Sequence, residues 1–502
     1  MNKAIICLLL ILISGAVTAQ NIQTDKYTEQ IKEFDEYVEQ ARKDWNVPGL
    51  AIAIVKDNKI LFTKGYGVKQ LGLPDPVDTQ TLFVCASTTK AMTAACMGIL
   101  VDEGKVKWDD AVTKHLPEFQ LYDPYVTREL KIRDLFLHNS GVGNADFLWV
   151  DAKTTSDEIL YKMRLVKPSY SVRSSFIYQN LFYLVAGKVI EKVSGQPWKD
   201  FIRHRIFEPL EMTRTAPMMK DIKDANQTKS HYTVKGNTMV IENENADEIG
   251  PAGSVWSSID DISKWVLCML DSGKYKGGRL LKSSTWKEMF KPQTIVTEED
   301  FYASQKLTKP NWMTYGLGWY QQDYKGKKVN FHTGSLSGAV AIHGQLPEEK
   351  LGIYVFGNYH QAQIRLALMY KAFDLFALGG TRDWSAEFLK LYGDIAKKEE
   401  KAEKNFIAKR IANTKPSLSL QQYAGKYSDP LYGELEVLLT GDKLVVQLNT
   451  LTKATLDHWH YDTFRAINEK AWIENKAVTF TINSFGKVGR ISYDGMEFKK
   501  SK

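Results

Sequence analysis

The sequence predicts an α+β fold in which an antiparallel sheet packs against a large helical region, followed by a small all-β barrel. Strand-like runs lie near both ends of residues 20–378, and a long middle with helical islands separates them. This arrangement favours one sheet built from both ends of the segment. Short alternating runs then fill residues 416–502, which is typical of a closed barrel.

The first 19 residues have the pattern of a cleavable signal peptide. Lys3 precedes the apolar run ICLLLILI, and Val17-Thr18-Ala19 supplies small residues before a cut at Gln20. The run is shorter than the roughly 20 residues of a membrane-spanning helix. We therefore expect a secreted protein, periplasmic or extracellular, without a stable membrane anchor; an uncleaved anchor is the alternative.

The main domain is expected to open with a helix, a hairpin and a buried helix. Apolar residues recur at helical spacing over residues 27–47, and Pro48-Gly49 ends that pattern. Two strand-like runs flank Asp57-Asn58, a hairpin signal. The apolar segment 86–103 then predicts a buried helix. Later elements are predicted as helices at 180–194, 259–272 and 361–377 and strands at 329–333, 339–346 and 351–358.

A charged linker helix and a β domain are expected to complete the chain. Residues 379–415 are predicted as a linker dominated by a solvated helix, because they are rich in Lys and Glu and precede Pro416. In residues 416–502, Val478, Phe480 and Ile482 alternate, and Asp494-Gly495 marks a turn. A separate small barrel follows from this pattern.

Bulk composition excludes several classes of function. The chain has 66 Lys and Arg against 59 Asp and Glu, a formal net charge of +7. This mild excess in 502 residues does not indicate a nucleic-acid-binding protein. Cleavage of the signal peptide leaves Cys85, Cys96 and Cys268, an odd number that suggests buried thiols rather than a disulfide framework. No zinc-ligand spacing is present.

Lys90 is the unusual residue of the apolar segment 86–103. Ser87 is expected to begin the helix as its N-cap, which places Lys90 in a first turn that disfavours cations. Residues three apart share a helix face, so the two side chains can touch. A serine hydroxyl needs a base to become a nucleophile, and burial can lower a lysine pKa far enough to provide one. The alternative is that Ser87 is only a cap.

Two further motifs accompany this pair. Ser-x-x-Lys alone is a weak signal, since Ser284 and Ser484 also begin one. However, Tyr178-Gln179-Asn180 precedes an apolar helix, and His332-Thr333-Gly334 lies on a strand-like edge. Structural alternatives are a core or surface tyrosine at Tyr178, a helix cap at Asn180 and a merely structural histidine at His332.

Together, Ser87-Thr88-Thr89-Lys90, Tyr178-Gln179-Asn180 and His332-Thr333-Gly334 resemble the motifs of serine β-lactamases and penicillin-recognising hydrolases. The branch most similar is the class C β-lactamase and DD-peptidase group. IRDLFLHNSGV, PAGSVWSSIDDISKW and YGLGW support the resemblance, which covers roughly residues 30–378. It implies a β-lactamase/transpeptidase-like fold for residues 20–378.

The resemblance also implies roles for the motif residues. Ser87 would form an acyl-enzyme, while Lys90 and Tyr178 would share proton transfer. Asn180 would hold Lys90 and the amide side of the substrate. The remaining implied residues form the oxyanion hole and the substrate edge: the backbone amides of Ser87 and Ser335, together with Thr333 and Gly334.

His332 departs from the family pattern, because β-lactamases carry Lys there to help bind a substrate carboxylate. An ordinary histidine is mostly neutral at neutral pH, which favours an esterase, amidase or D-amino-acid peptidase. We expect a small ester, amide or peptide substrate, with peptidoglycan fragments among the candidates. A penicillin-binding or peptidoglycan-binding module with little turnover and a weak class C-type β-lactamase are the alternatives. Ser, Lys and Tyr suffice for acyl transfer, so no cofactor is implied.

The C-terminal region, including HWHYDTFRA (458–466), resembles the lipocalin-like domain appended to some members of this family. Such a domain would pack near the catalytic cleft or mediate oligomerisation. His458 and His460 would point the same way on a strand, so a metal site is conceivable; an aromatic barrel wall is the alternative.

Overall fold

The computed structural model describes residues 26–150, 153–360, 363–448 and 452–501. The signal-peptide prediction for residues 1–19 lies outside these ranges. Within them, no helix is both long and apolar enough to cross a membrane.

Fourteen helices have the following bounds in the described part of the chain: α1 (Thr28–Asp44), α2 (Thr89–Asp102), α3 (Val112–His115), α4 (Pro124–Glu129), α5 (Ser156–Lys162), α6 (Leu181–Ser194), α7 (Trp198–Ile202), α8 (Gly250–Gly253), α9 (Ile259–Leu270), α10 (Ser283–Met289), α11 (Gln305–Thr308), α12 (Ile364–Phe373), α13 (Trp384–Ala408) and α14 (Leu420–Tyr423). The strands before the barrel are β1 (Gly49–Lys56), β2 (Lys59–Gly67), β3 (Phe83–Val84), β4 (Ser230–Val234), β5 (Asn237–Ile241), β6 (Trp256–Ser257), β7 (Lys274–Tyr275), β8 (Gly278–Arg279), β9 (Thr294–Ile295), β10 (Met313–Tyr315), β11 (Tyr320–Tyr324), β12 (Lys327–Leu336), β13 (Ala339–Leu346) and β14 (Leu351–Gly357).

One eight-stranded sheet is the centre of the larger domain. Its spatial order is β2-β1-β14-β13-β12-β11-β10-β9, and its neighbouring strands are antiparallel. The N-terminal hairpin therefore pairs with the last strand of the domain, and most of the helices lie between them in sequence. This arrangement confirms the predicted α+β class and the sheet built from both ends.

Strand β1 separates the two cores of this domain. All eight of its residues are buried. Ala51, Ala53 and Val55 face the core that contains α2, α6 and α9, whereas Leu50 and Ile52 face the core beneath α1, α12 and α13. Helices thus cover both faces of the sheet, and the sequence of β1 is a continuous apolar run because neither face meets water.

The predicted turn at Asp57-Asn58 joins β1 to β2. Both residues are left-handed, with φ of 51° and 63°. Two consecutive residues with positive φ are the requirement of a type I′ hairpin turn, and Asn and Asp tolerate that conformation better than most residues. The register of the sheet edge is therefore fixed locally.

The first turns of α13 belong to the main domain. Trp384 and Phe388 are fully buried in the core beneath α12, and Trp384 Nε1 donates to Asp374 Oδ2 at 2.9 Å. Trp45 Nε1 donates to Ser385 Oγ at 3.0 Å. From Lys397 to Ala408 the residues of the helix are exposed, although Phe406 stacks on Trp459 and Glu403 pairs with Arg465 of the barrel. The solvated part of the predicted linker therefore begins only after these anchoring turns.

The C-terminal strands close into an eight-stranded barrel, as predicted. Their bounds are β15 (Gly425–Asp429), β16 (Gly433–Thr440), β17 (Lys443–Leu448), β18 (Thr452–His460), β19 (Thr463–Asn468), β20 (Lys476–Ile482), β21 (Val488–Tyr493) and β22 (Met496–Lys500). Tyr423, Tyr427, Phe464 and Phe480 contribute to its interior and pack against one another.

The HWH stretch does not form a metal cluster in the described residues. The strand register shifts between His458 and His460, so the regular alternation that would align their side chains is interrupted. The side chain of His458 bonds to the carbonyl of Tyr461 at 2.9 Å. No group of three or more His, Cys, Asp or Glu suited to a metal occurs within the described ranges. The thiols of Cys85, Cys96 and Cys268 are buried and free.

Candidate active site

Ser87 lies in a tight turn just before α2. Residues 86–88 form one turn of 3₁₀ helix, and α2 begins at Thr89. The prediction that Ser87 is the N-cap is therefore wrong: Thr88 holds that position and makes no side-chain cap bond. Ala86 has φ of 47°, a left-handed conformation that is uncommon for a residue other than glycine and is found at strained functional turns. The Ser87 hydroxyl is thereby free for another partner.

Lys90 is that partner. Its Nζ donates to Ser87 Oγ at 3.0 Å, to Asn180 Oδ1 at 2.6 Å and to the carbonyl of Ala252 at 2.9 Å. The side chain is fully buried, although it is a lysine in the first turn of an apolar helix. The three acceptors satisfy the amine and hold it against the hydroxyl.

Burial lowers the pKa of Lys90 from 10.5 to about 7, and the negative charge of Asp146 opposes that decrease. A charged amine is disfavoured where water is excluded, so the neutral form becomes accessible near neutral pH. A neutral lysine 3.0 Å from a serine hydroxyl is positioned to accept its proton.

Tyr178 lies beside Lys90 in the same site, and its pKa is shifted in the opposite direction. Lys90 Nζ is 4.9 Å from the centroid of the Tyr178 ring. Burial raises the pKa of Tyr178 well above 10, and a side-chain hydrogen bond with Ser87 opposes the increase only in part. The phenol is therefore protonated at neutral pH. Of the two groups, Lys90 is suited to accept a proton and Tyr178 to donate one, a division that the sequence left open.

Asn180 connects Lys90 to a residue that the sequence analysis missed. Its Oδ1 accepts from Lys90, and its Nδ2 donates to both carboxylate oxygens of Asp146 at 3.0 Å. The expected contact with Lys90 is therefore present. Asn180 also lines the cleft beside Ser87, so the expected contact with the amide side of a substrate stays a prediction.

Strand β12 approaches the serine turn closely at Gly334. A Cβ on Gly334 would lie 2.3 Å from the carbonyl oxygen of Cys85 and 3.0 Å from the backbone nitrogen of Ser87. Only glycine permits this approach, which brings Ser335 and its amide to the edge of the same site. Thr333 and Ser335 both line the cleft. The structure thus brings the predicted oxyanion and edge-strand residues together.

His332 lies beside Tyr178, with ring centroids 6.3 Å apart, but does not reach the cleft. It is 1% exposed and is not among the residues that line the cavity beside Ser87. Its Nδ1 bonds to the carbonyl of Thr333 at 2.6 Å, and its Nε2 bonds to the hydroxyl of Tyr315 at 2.8 Å. Burial, reinforced by the charge of Lys90, lowers its pKa to about 3. The expected substrate contact of His332 does not fit this geometry, which gives it a neutral, structural position.

The positive charge next to the edge strand comes from Arg365 instead. Arg365 lies on α12, is 3% exposed and lines the cleft. Its Nη1 donates to the carbonyl of Gly334, to Ser335 Oγ at 2.9 Å and to the carbonyl of Ala341 at 3.2 Å. The sequence signal was weak: a single arginine inside the apolar helical run IRLALMYKAF.

The cleft in front of Ser87 has a volume of about 480 Å³. Its walls carry charged groups of both signs and aromatic rings, which suits a short polar substrate. The lining residues besides Ser87, Tyr178 and Asn180 are Asp146, Trp149, Glu244, Tyr302, Tyr320, Thr333, Ser335, Leu336, Ser337, Val340, His360, Gln363 and Arg365.

A cleft-lining serine beside a buried lysine, a neighbouring tyrosine and a glycine-containing edge strand are the arrangement of a serine hydrolase with the penicillin-recognising fold. The sequence profile of the Beta-lactamase family matches residues 34–369, so the chain belongs to that family. A second profile, described as a domain of unknown function (DUF3471), matches residues 409–502.

Relatives and solved structures agree with this assignment. Unguisins hydrolase ungD of Aspergillus violaceofuscus is 26% identical over 474 residues, covering 86% of this chain and 82% of the relative. The octameric penicillin-binding protein homologue from Pyrococcus abyssi superposes with a TM-score of 0.63 at 21% identity, covering 94% of this chain and 100% of that one. A D-stereospecific amidohydrolase from Streptomyces sp. superposes with a TM-score of 0.56 at 21% identity, covering 68% of this chain and 98% of that one.

Proposed function

We propose that this protein is a secreted hydrolase that cleaves an ester or amide bond, including bonds in D-amino-acid-containing peptides, through an acyl-enzyme on Ser87. The observation that carries the proposal is the 3.0 Å contact between Lys90 Nζ and Ser87 Oγ in a buried site. A lysine that is neutral near pH 7 can take the hydroxyl proton, which a serine must lose to act as a nucleophile.

The residues support a two-stage acyl transfer. Lys90 accepts the Ser87 proton as Oγ attacks the substrate carbonyl, and the amides of Ser87 and Ser335 stabilise the oxyanion. Tyr178 donates a proton to the departing alcohol or amine. Water then attacks the acyl-enzyme with the same groups acting in reverse, which releases the acid and restores Ser87.

A small peptide or ester fits the cleft better than an extended apolar ligand. Asp146, Glu244 and Arg365 place charges of both signs around aromatic walls. The hydrolase name of the relative from Aspergillus violaceofuscus, at 26% identity over most of both chains, supports bond hydrolysis over simple binding. Peptidoglycan-derived peptides remain within this substrate class.

Secretion is proposed from the sequence alone. The charged start, the short apolar run and the small residues before Gln20 support a cleavable signal peptide. N-terminal sequencing of the protein expressed in a bacterial host tests this: a mature chain beginning at Gln20 in the periplasm or medium supports it, and retention of Met1 in the cytoplasm contradicts it.

Two alternatives start from the same serine. A penicillin-binding or peptidoglycan-binding module would form a stable penicillin adduct on Ser87 without turnover, and a weak class C-type β-lactamase would hydrolyse nitrocefin. The assembled Ser87, Lys90 and Tyr178 favour turnover over simple binding. His332, a neutral residue, stands where β-lactamases carry a lysine, which argues against the β-lactamase alternative.

Matched D- and L-aminoacyl p-nitroanilides, a p-nitrophenyl ester and nitrocefin test the proposal on one enzyme preparation. We expect ester or anilide hydrolysis that Ser87→Ala abolishes, with slow nitrocefin turnover. Nitrocefin as the fastest substrate would support the β-lactamase alternative. A penicillin adduct by intact mass, with no substrate turned over, would support the binding module. Light scattering of the full chain tests the further proposal that the barrel mediates oligomerisation.

A further inference from the structure

The loop at residues 143–149 places a carboxylate against Asn180, the residue that accepts a hydrogen bond from Lys90. Both oxygens of Asp146 accept from Asn180 Nδ2 at 3.0 Å, and Trp149 Nε1 donates to Asp146 Oδ1 at 2.9 Å. The Asp146 backbone nitrogen donates to Asn144 Oδ1 at 3.0 Å. Asp146 is therefore fixed by its own loop as well as by Asn180, and it lines the cleft beside Ser87.

This carboxylate selects one orientation of the Asn180 amide. A carboxylate only accepts hydrogen bonds, so it must face the NH₂ group of Asn180. The amide oxygen then faces Lys90 Nζ, the contact observed at 2.6 Å. A flipped amide would direct N–H groups at the amine and its oxygen at the carboxylate. Asp146 thus fixes the NH₂ end of the Asn180 amide, while Lys90 contacts its oxygen.

Asp146 is also the carboxylate that opposes the effect of burial on Lys90. The other groups that face the amine are the aromatic rings of Tyr178 and Tyr183, at 4.9 and 5.2 Å, and the buried histidines His138 and His332, whose pKa values fall below 6.5 through burial and the Lys90 charge. Both histidines are neutral above that pH. The charge of Asp146 thus acts on the amine with little competition near neutral pH.

The C-terminal barrel holds the other side of this loop. The Phe147 ring packs on the Tyr432 ring with centroids 4.7 Å apart. Tyr432 lies in the turn between β15 and β16 and also packs on Phe498 at 5.7 Å inside the barrel. Leu431, the neighbouring residue, packs against the helical core of the main domain.

The barrel turn itself is rigidly built. Asp429 Oδ1 accepts from the backbone nitrogens of Leu431 at 2.7 Å and Tyr432 at 3.1 Å, an arrangement typical of an Asx turn. Next to this contact, a cleft of about 480 Å³ separates the loop from the turn. The turn therefore contacts the main domain through Tyr432 and Leu431 beside this open cleft.

We propose that Asp146 is a positioning residue for Lys90, acting through Asn180, and that the barrel supports it through the contact between Phe147 and Tyr432. This rests on the proposed function, since it assigns Lys90 the proton transfer from Ser87. It gives the appended barrel a role in the chemistry of the main domain through four contacts: Phe498–Tyr432, Tyr432–Phe147, Asp146–Asn180 and Asn180–Lys90. Asp146 and Phe147 are neighbours in the chain.

Asp146→Asn tests the positioning role, because it removes the charge and leaves a side chain of the same size. The pH profile of kcat/KM with a p-nitrophenyl ester is the readout. We expect its acid limb to move to lower pH, since Lys90 loses the charge that favours its protonated form, and the plateau to fall about tenfold as the Asn180 amide loses its fixed orientation. An acid limb identical to that of the wild type would overturn the role of Asp146. Asp146→Glu, which keeps the charge, should keep the limb nearer its original position.

Tyr432→Ala and Phe147→Leu test the support from the barrel in the full-length protein. Each should lower the plateau of kcat/KM several-fold, whereas Tyr432→Phe keeps the ring and should match the wild type. Phe485→Ala is the control, because Phe485 is 85% exposed on the barrel. The double variant should lose no more than the worse single variant, the sign of a shared contact. If the fold-losses in kcat/KM of the two single variants multiply in the double variant, or if Tyr432→Ala keeps wild-type activity, the proposed support from the barrel would be overturned.

Failure of this inference and failure of the proposed function give different results. If wild-type turnover survives Ser87→Ala, the proposed function fails and the profiles of Asp146 variants carry no meaning for Lys90. If Ser87→Ala is inactive while Asp146→Asn has an unshifted acid limb, the proposed function stands and only the positioning role fails. Thermal melting of each variant shows whether a loss of activity follows a loss of folded protein.

Discussion

Lys90 Nζ lies 3.0 Å from Ser87 Oγ, with the amine fully buried and the serine at the surface of the cleft. The contact places the proposed base where water cannot stabilise its charge and the proposed nucleophile where substrate can reach it. Burial lowers the pKa of the amine and raises that of Tyr178. The same burial thus favours the neutral, proton-accepting form of Lys90 and the protonated, proton-donating form of Tyr178.

The pH dependence of acylation should report the Lys90 amine. In the proposed mechanism the neutral form of Lys90 accepts the Ser87 proton. Because the pKa of Lys90 is about 7, kcat/KM should fall about tenfold per pH unit well below pH 7. Stopped-flow acylation by a p-nitrophenyl ester between pH 5 and 9 measures this. Lys90→Arg, whose guanidinium stays protonated, should be inactive across the range. A flat profile in the wild type would remove Lys90 from the role of base.

Lys90 should also make folding stability depend on pH. Its pKa is lowered from 10.5 to about 7 in the folded chain, so the unfolded chain binds more protons between these values. The free energy of unfolding should therefore rise with pH across that window, by at most about 1.4 kcal/mol per unit. Below pH 7 the destabilisation is fully present. Denaturant titrations at several pH values give the free energy of unfolding of the wild type and of Lys90→Met. Plotted against pH, the two should differ in slope over this window, and parallel plots would contradict the lowered pKa of Lys90.

Gly334→Ala should reduce turnover by displacing the edge strand. The added Cβ would lie 2.3 Å from the Cys85 carbonyl oxygen, so β12 must move away from the Ser87 turn. Losing one oxyanion donor typically costs about 10²–10³ in kcat, and we expect a loss of that order. Gly393→Ala is the matched control, because a Cβ there meets nothing within 4 Å and alanine favours a helix interior. Normal turnover in Gly334→Ala would contradict the proposed oxyanion hole.

His332→Lys should destabilise the protein and should not create a β-lactamase. The new amine would be buried near Lys90 and Arg365 without a carboxylate partner, and an uncompensated buried charge costs about 3 kcal/mol or more. His332→Gln retains hydrogen-bonding capacity towards Tyr315 and should lose much less stability. Thermal melts and nitrocefin assays compare the two. A stable His332→Lys variant with fast nitrocefin hydrolysis would revive the β-lactamase alternative.

Local sequence patterns were sufficient for several parts of this structure. The Asp57-Asn58 turn, the strand runs of the sheet and the alternation in the barrel depend on neighbours in sequence, and all appear as expected. Ser87 and Lys90 were detectable together because a helix brings residues three apart onto one face. Tyr178 and Asn180 came from the family resemblance rather than from local physics.

The missed residues depend on long-range packing. Asp146 lies 34 residues before Asn180 in sequence, in a loop with no periodic pattern, and its contacts appear only in the folded chain. Arg365 reaches β12 from α12, so nothing local to either segment reveals the contact. The orientation of His332 follows from Tyr315 and the sheet register, which also explains why its side chain does not line the cleft. The anchoring of α13 by Trp384 is likewise invisible in a sequence that reads as charged helix.

The most direct test of the central claim is hydrolysis of a short p-nitrophenyl ester by the purified mature chain beside Ser87→Ala, with intact mass recorded during turnover. The account predicts release of p-nitrophenol and an acyl adduct on Ser87 in the wild type, and neither in a variant that melts at the same temperature. Equal hydrolysis by both proteins, or an adduct that persists in Ser87→Ala, would show that Ser87 is not the nucleophile.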